Sequence, residues 1–277
     1  MPKIPSLEEM LKAGVHFGHR TSRWHPKMAP YIFGVRGGVH VINVEETQKM
    51  LEKTLSYVED VIARGGVVLF IGTKKQITGV VEKTAQACGM PYINNRWLGG
   101  TFTNFSEIQK LIKKYLELKE KREKGELKKY TKLEQLQFDR KIEELEEKIG
   151  GISTLKKLPE AIFVFDAHNE KTAMYEAGKQ NVKVIAICDT NINPTEVDYV
   201  IPANDDSVRS LELIGSVVAD SVNAGKKKQG MAAAPAKKNA KEDGDVAVTA
   251  KDRESVDALD DEVKEELARE KQESRKK

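Results

Sequence analysis

The 277-residue sequence predicts an α/β fold: a flavodoxin-like or Rossmann-like doubly wound parallel sheet with an inserted α-helical coiled-coil hairpin. Three short, continuous apolar runs predict strands that are buried on both faces, as they are in a parallel sheet. Helical segments alternate with these runs, which is the order that strand-helix-strand units produce. A block rich in Lys and Glu and free of proline interrupts the alternation and predicts the hairpin.

The sheet domain is predicted over two stretches on either side of the hairpin, 44–103 and 151–224. Its strongest strand candidates are 67–72, 162–167 and 182–189, with shorter candidates at 91–93 and 198–202. Its helices are predicted from apolar periodicity over 44–64, 75–88, 169–179 and 207–224.

An N-terminal region of helix, basic loop and β-hairpin is predicted over 1–43. Ser6 and Glu9 form a capping box at the start of a short helix. Gly37 and Gly38 favour the tight turn of a β-hairpin, because glycine adopts positive φ without steric cost.

Residues 104–150 carry two apolar stripes on otherwise charged segments. The first stripe comprises Phe105, Ile108, Ile112, Tyr115 and Leu118, and the second comprises Leu133, Leu136, Ile142, Leu145 and Ile149. Two antiparallel helices that bury these stripes against each other, turning at Gly125, form a coiled-coil hairpin. The alternative is a pair of helices that cover the sheet, but such helices need wider apolar faces.

The segment 225–277 predicts a disordered tail. Of its 53 residues 27 are charged, and none is Phe, Trp, Tyr, Ile or Cys. Such a segment buries too little apolar surface to offset its chain entropy. Four apolar residues at helical spacing would form one face of a short helix if a partner bound it: Val256, Leu259, Val263 and Leu267.

Composition excludes several classes of protein. No run of about 18 apolar residues predicts a membrane span, and the first residues fit neither a signal peptide nor a transit peptide. We therefore expect a cytoplasmic protein. Cys88 and Cys188 are too few for a disulfide scaffold or a cysteine-rich zinc site.

The predicted sheet lacks the signatures of common nucleotide enzymes and hydrolases. The loop after the first buried strand has neither the glycine spacing of a dinucleotide site nor the Walker lysine pattern, and no nucleophile elbow occurs. The strand-end acids Asp166, Asp189, Asp205 and Asp206 are interpreted as turn and capping residues. We expect no catalytic residue and no cofactor. The alternative function is a phosphosugar- or nucleotide-binding enzyme on the same sheet.

Charge is distributed unevenly although the formal net charge is only +3. Residues 1–112 hold 14 basic and 9 acidic residues, whereas 151–224 hold 6 and 11. No acid occurs over 10–44, and Glu82 is the one acid over 61–106. The basic front half predicts a surface that faces a polyanion. We expect the acidic back half to face solvent or basic neighbouring proteins.

Both tryptophans directly follow an arginine, as Arg23-Trp24 and Arg96-Trp97. Guanidinium groups bind phosphate and flat rings stack on unpaired bases, which is what recognition of structured RNA requires. The alternative is that the tryptophans fill the core where loops close and that the arginines pack over them.

Two histidines raise the question of a metal site. His16 and His19 lie three residues apart after the first helix, and an acid from a strand-end loop, Asp189 or Asp205, would complete a ligand set. Histidines in loops more often make structural or RNA contacts, so we expect no bound metal.

Four long motifs together resemble one protein family. They are GVHFGHRTSRWHPKMAPYIFGVRGGVHVINVEET (14–47), NNRWLGGTFTNF (94–105), PEAIFVFDAHNEKTAMYEA (159–177) and DTNINPTEVDYVIPANDD (189–206). Their order and content resemble the bacterial small-subunit ribosomal protein family "S two", from about residue 5 to 224. The resemblance implies a flavodoxin-like domain with a coiled-coil insertion and a structural, non-enzymatic role in the small ribosomal subunit.

The resemblance also implies partners and a place. The family contacts small-subunit rRNA and neighbouring ribosomal proteins at the head/body junction near the mRNA exit, and it helps to hold the large mRNA-binding "S one" protein in bacteria that have one. Together with residue type, it predicts the following rRNA-binding residues: Arg20, Arg23, Trp24, Lys27, Arg36, Lys74, Lys75, Arg96 and Trp97. Ser22 departs from the basic residue that is common in the family and removes one phosphate contact.

Overall fold

The computed structural model describes residues 3–233, with side chains described as far as Gly230. Most of the predicted tail, including the helical pattern from Val256 to Leu267, lies outside the described residues. Among the described helices, none is both long enough and apolar enough to cross a membrane.

The N-terminal region forms one helix and a three-stranded antiparallel sheet. Its elements are α1 (Leu7–Ala13), β1 (Phe17–Arg20), β2 (Ile32–Arg36) and β3 (Val39–Ile42). The capping box of Ser6 and Glu9 is present, and β2 and β3 form the predicted hairpin with positive φ at Gly37 and Gly38. β1 pairs with the other side of β3 and occupies part of the segment that was predicted to be a loop.

Five parallel strands form the central sheet. They are β4 (Val68–Ile71), β5 (Tyr92–Ile93), β6 (Ala161–Val164), β7 (Lys183–Cys188) and β8 (Tyr199–Pro202). Their order across the sheet is β5-β4-β6-β7-β8, and every neighbouring pair is parallel. All residues of β4 and β6 are buried, which confirms the expectation from their uninterrupted apolar runs. The predicted α/β fold with a parallel sheet is therefore confirmed.

Six further α-helices follow the N-terminal sheet in the part of the chain that the structure describes. They are α2 (Val44–Ala63), α3 (Thr78–Cys88), α4 (Phe105–Glu123), α5 (Lys132–Ile149), α6 (Lys171–Lys179) and α7 (Val208–Ala233). α3 begins three residues later than predicted, because the Ile77 amide closes a turn on the Lys74 carbonyl. Side chains of α2, α3 and α7 join those of the strands in one apolar core.

Three phenylalanine rings lie at the centre of this core. The Phe163 ring from β6 packs 5.4 Å from that of Phe70 on β4 and 5.0 Å from that of Phe165, measured between centroids. All three side chains are fully buried. Such tilted and edge-on contacts add about 0.5–1.5 kcal/mol per pair to the gain from burial, so the aromatic residues link neighbouring strands to the helical layer.

The insertion between β5 and β6 consists of α4 and α5, which run antiparallel. Ion pairs join Lys119 to Glu146 (3.2 Å) and Arg122 to Asp139 (3.4 Å). Later residues of α4 thus pair with earlier residues of α5, as they do in antiparallel helices. The buried residues are Ile108, Ile112, Tyr115 and Leu118 on α4, and Phe138, Ile142, Leu145 and Ile149 on α5.

The predicted second stripe is wrong at its start. Leu133 and Leu136 are exposed, and Phe138 is buried instead. α5 begins at a capping box of Thr131 and Glu134, which places Leu133 in the first turn. At this end the interior is filled by Leu127, and the Tyr130 ring packs 5.1 Å from Phe138.

The boundary predicted for the tail at 225 is also wrong, because α7 continues to Ala233. Gly225 is buried against α2: a Cβ at this position would lie 2.8 Å from both the Glu59 carbonyl oxygen and Ile62 Cβ. Lys226 reaches back and donates its ammonium to the Cys88 carbonyl (2.6 Å) at the end of α3. A lysine at a helix C-terminus satisfies an otherwise unpaired carbonyl. The charged composition after residue 224 therefore predicts disorder where the end of α7 in fact packs on α2 and α3.

This close approach predicts opposite effects for two glycine substitutions in α7. Gly225→Ala should lower the free energy of unfolding by about 1–3 kcal/mol, because the added methyl group forces α7 away from α2. Gly230→Ala has nothing within 4 Å of the added Cβ and should raise stability by up to about 1 kcal/mol through helix propensity. Urea unfolding of both variants measures the difference, and equal effects would contradict the close packing at Gly225.

Candidate nucleic-acid interface

The loops that follow the five parallel strands open at one edge of the sheet, because parallel strands share the direction of their carboxyl ends. These loops are 72–77, 94–104, 165–170, 189–193 and 203–207. From β5 to β8 this edge spans four interstrand spacings of about 4.8 Å, or about 19 Å.

The N-terminal sheet is attached to the same edge by Thr190. The amide of His19 donates to Thr190 Oγ1 (3.0 Å), and the amide of His25 donates to the Thr190 carbonyl (2.7 Å). Gly18 lies so close that a Cβ there would be 2.7 Å from Thr190 Cγ2. Residues 17–36 and the strand-end loops therefore form one continuous surface, called here the carboxyl-edge surface.

Five of the predicted rRNA-binding residues are exposed on this surface with uncompensated charge. Their side chains make no ion pair or hydrogen bond within residues 3–230: Arg20, Arg23, Arg36, Lys75 and Arg96. Lys27 is also exposed, and its ammonium donates to Thr195 Oγ1 (3.2 Å). Four of the five uncompensated groups are guanidinium groups, which match phosphate oxygens with paired donors.

Lys74 differs from its neighbour Lys75. Its ammonium pairs with Asp206 and lies 3.6 Å from Asp166 Oδ2. Burial opposes the charged form of Lys74, but the hydrogen bond to Asp206 and the negative charges of the nearby aspartates together outweigh burial and raise the pKa of the lysine. Lys74 therefore compensates two neighbouring acids, the buried Asp166 and the exposed Asp206, rather than presenting its charge outward.

The two tryptophans have different environments. Trp24 is 39% exposed and packs on His40 with 5.1 Å between ring centroids, which leaves part of its ring open. Trp97 is half-buried, donates its indole N–H to Glu176 Oε1 (3.1 Å) and meets Phe102 edge-on. The packing alternative therefore describes Trp97, whereas Trp24 keeps a ring surface on which a base can stack.

A second feature of this edge is a cluster of carboxylates around His19. His19 Nδ1 lies 2.9 Å from Asp189 Oδ2, and its Nε2 lies 3.7 Å from Asp206 Oδ2. One ligand atom each from His19, Asp205 and Asp206 lie within 4.8 Å of one another.

The metal candidates from the sequence are thus brought together only in part. His16 does not belong to the cluster: its ring packs on Phe17 at 4.1 Å and lines a groove on the N-terminal sheet. Asp206, interpreted from sequence as a turn residue, takes its place. The sequence did not predict this combination of ligands, because His19 and Asp206 are far apart along the chain.

The surroundings of this cluster oppose the ionised form of Asp205. Burial raises the pKa of Asp205, and its Oδ1 has no hydrogen-bond partner among the described residues. The hydrogen bond to Asp189 raises the pKa of His19 to about 9. One ring nitrogen of His19 is held by Asp189, and the other faces Asp205 and Asp206. Histidines that bind metals in proteins usually have such a supporting carboxylate on the ring nitrogen that does not bind the metal.

Five of the eleven acids of the back half are internal, which corrects in part the expectation that these acids face solvent. Five are buried: Asp166, Glu170, Glu176, Asp189 and Asp205. They accept hydrogen bonds from strand-end loops or lie in the cluster around His19. Sequence reasoning missed Glu170 and Glu176 as organising residues because their partners lie in other segments of the chain. Asp166 accepts from the amides of His168 and Asn169, as its interpretation as a turn residue predicts.

The outer face of the N-terminal sheet is apolar and open. Phe33, Val35 and Phe17 are 80%, 56% and 54% exposed. They border a groove of about 670 Å³ whose remaining lining residues are His16, Gly34, Arg36, Val39 and Val41. Exposed apolar patches of this kind mark interaction surfaces.

Comparison with known proteins gives a consistent result. A model of the ribosomal protein S2 family matches residues 10–225. Over 220 aligned residues the chain is 46% identical to the small ribosomal subunit protein uS2 of Acidobacterium capsulatum. The aligned region covers 79% of this chain and 73% of that protein. Over 216 aligned residues the chain is 46% identical to uS2 of Francisella tularensis subsp. novicida, and this alignment covers 78% of the chain and 90% of that protein.

Proposed function

The chain belongs to the ribosomal protein S2 family, and from this membership we propose that it binds small-subunit rRNA through its carboxyl-edge surface. Membership makes the protein a structural, non-enzymatic constituent of the small ribosomal subunit, with rRNA and ribosomal proteins as partners. The alternative of a nucleotide or phosphosugar enzyme is therefore wrong. The finer proposal places the protein in the bacterial cytoplasm, at the head/body junction of the subunit near the mRNA exit.

The uncompensated arginines of the carboxyl-edge surface are the observation that supports rRNA binding there. Arg20, Arg23 and Arg36 extend from the N-terminal sheet, and Arg96 extends from the loop after β5, at the far end of the edge. Phosphates that contact both ends would fix the orientation of the protein on the RNA, since backbone contacts set register rather than sequence preference. Trp24 adds a partly open ring for an unpaired base.

Removal of one arginine should therefore weaken rRNA binding and reduce its salt dependence. For Arg96→Ala we expect the slope of log affinity against log salt to fall in magnitude by about 0.7–0.9, the contribution of one phosphate contact. Binding of the full chain to small-subunit particles that lack this protein, measured over a KCl series, gives both quantities.

Arg64→Ala is the matched control. Arg64 is an exposed arginine at the end of α2, on the opposite edge of the sheet, where its side chain donates to the Asp60 carbonyl. Its removal should leave the salt slope unchanged. Equal slopes for the two variants would mean that total charge, and not the carboxyl-edge surface, determines binding.

We also propose that the cluster of His19, Asp205 and Asp206 binds a divalent cation such as Zn²⁺, although the sequence led us to expect none. The support is the ligand set and the orientation of His19 by Asp189. A cation there would favour the ionised form of Asp205, which burial disfavours. Its role would be structural, because it would tie β1 to the loop after β8.

Two histidine variants test the cation site. Isothermal titration of the purified protein with Zn²⁺ should show about one site per chain, with loss of binding in His19→Gln and normal binding in His16→Gln. Asp189→Asn should weaken binding about 10- to 100-fold, the usual effect of removing a supporting carboxylate. If His16→Gln and His19→Gln reduce Zn²⁺ binding alike, the ligand assignment is wrong.

We further propose two surfaces for protein contacts. The apolar face around Phe33 is open, and the "S one" protein is the partner that the family resemblance suggests for it. The insertion 104–150, taken as a protruding coiled-coil hairpin, is the second surface, supported by the antiparallel course of α4 and α5. Division of the chain into an N-terminal region (1–43), a sheet domain (44–103 and 151 to the end of α7) and this hairpin is part of the same proposal.

Phe33→Ser should weaken binding of the purified "S one" protein of the source bacterium about 10-fold or more, because burial of an aromatic side chain contributes about 1.5–3 kcal/mol. Tyr175→Ser is the control, since Tyr175 is a 65% exposed aromatic residue on α6. Surface plasmon resonance with the two variants compares them directly. Unchanged affinity in Phe33→Ser would exclude this face as the contact surface.

A further inference from the structure

One buried carboxylate accepts five of the hydrogen bonds that shape the loop 94–104. Glu176 lies on α6, and its Oε1 accepts from the Trp97 indole N–H (3.1 Å) and the Gly100 amide (2.8 Å). Its Oε2 accepts from the Phe102 amide (3.0 Å) and from the amide and hydroxyl of Thr103 (both 3.3 Å). All five donors belong to a segment more than 70 residues away in the chain.

The Glu176 side chain must be an ionised carboxylate to accept all five of these hydrogen bonds. Burial alone would raise the pKa of Glu176, but the hydrogen bonds from Gly100, Phe102 and Trp97 outweigh burial and hold the pKa below its ordinary value. A glutamine of the same shape would direct an NH₂ group at N–H donors, because an amide has only one acceptor oxygen. The site therefore distinguishes Glu from Gln by charge and donor pattern rather than by size.

The loop depends on this carboxylate for its course. It contains a backbone conformation at Gly100 (φ +91°) that L side chains rarely adopt, and the Gly100 amide is itself a donor to Glu176. The Trp97 indole is fixed twice, by Glu176 and by edge-on contact with Phe102 (5.0 Å). Without the acceptor, three backbone amides would need new partners, which costs about 1–3 kcal/mol for each one left buried and unpaired.

Arg96 directly precedes the fixed indole, and its own side chain is exposed. We infer that Glu176 is a positioning residue for rRNA binding: its carboxylate holds the loop 94–104 so that Arg96 is presented in a defined orientation. Pre-ordering of a binding loop lowers the entropy that binding must otherwise overcome. This inference rests on the proposed function, because it assigns to Glu176 an effect that acts through Arg96.

A double-mutant cycle tests the inference in the full-length protein. We expect Glu176→Gln to accelerate amide exchange at least about 10-fold at Gly100, Phe102 and Thr103, in line with the loss of about 1.4 kcal/mol or more of local protection. It should also shift the Trp97 indole N–H resonance. Affinity for small-subunit particles that lack this protein should fall toward that of Arg96→Ala. The combined variant should bind no more weakly than Arg96→Ala, because both changes remove the same contact.

Glu170→Gln is the matched control, at the N-cap of the same helix. Glu170 is also a buried carboxylate, and it accepts from the Thr73 amide (2.9 Å) and hydroxyl in the loop after β4. Its replacement should leave exchange at Gly100, Phe102 and Thr103 unchanged, and its effect on affinity should add to that of Arg96→Ala. The control thus separates loss of a buried carboxylate in general from loss of the one that holds Arg96.

Two results overturn the inference. One is an additive combination of Glu176→Gln with Arg96→Ala, and the other is wild-type affinity in Glu176→Gln when Arg96→Ala binds weakly. Wild-type affinity in Arg96→Ala itself would refute the proposed use of Arg96, and this failure is visible before Glu176 is changed. If Glu176→Gln does not fold, Glu176→Asp keeps the charge with a shorter reach and enters the same cycle.

Discussion

Parallel strand pairing is the constraint on which the rest of the molecule depends. Because β4 to β8 run in the same direction, all of their carboxyl ends emerge at one edge, where loops expose backbone amides that have no partner in the sheet. Buried acids satisfy part of this demand: Asp166 accepts from the amides of His168 and Asn169, and Glu176 accepts from those of the loop 94–104. The carboxyl-edge surface is therefore built by negative charges that point inward and positive charges that point outward.

The sequence predicts the scaffold well where local pattern and burial coincide. The apolar runs of β4, β6 and β7 are fully or almost fully buried, and the glycine pair at 37–38 turns the hairpin, because each signal acts over a few adjacent residues. β1 has no such signal. Its four residues, FGHR, are ordered by pairing with β3 and by contact with Thr190, both of which depend on the folded chain.

The same distinction applies to the candidate interface. Exposure of Arg20, Arg23 and Arg96 follows from residue type and an acid-free neighbourhood in sequence. Lys74 and Lys75 cannot be separated in this way, because Asp206, which pairs with Lys74, is 132 residues away along the chain. Trp97 likewise has the same local context as Trp24, an arginine before it, and only the fold brings Glu176 to its indole.

A basic front half and an acidic back half are thus coupled rather than independent. Carboxylates close to an RNA-binding surface would repel phosphates within the screening length of about 8–10 Å at physiological salt. At Glu176 five donors surround the charge, and at Asp206 an ammonium group neutralises it, so the outward potential remains that of the exposed arginines. Asp205 is the exception, since its Oδ1 is buried without a partner among the described residues. A cation held by His19, Asp205 and Asp206 would remove that exception, and the surface would then meet RNA with its internal acids compensated.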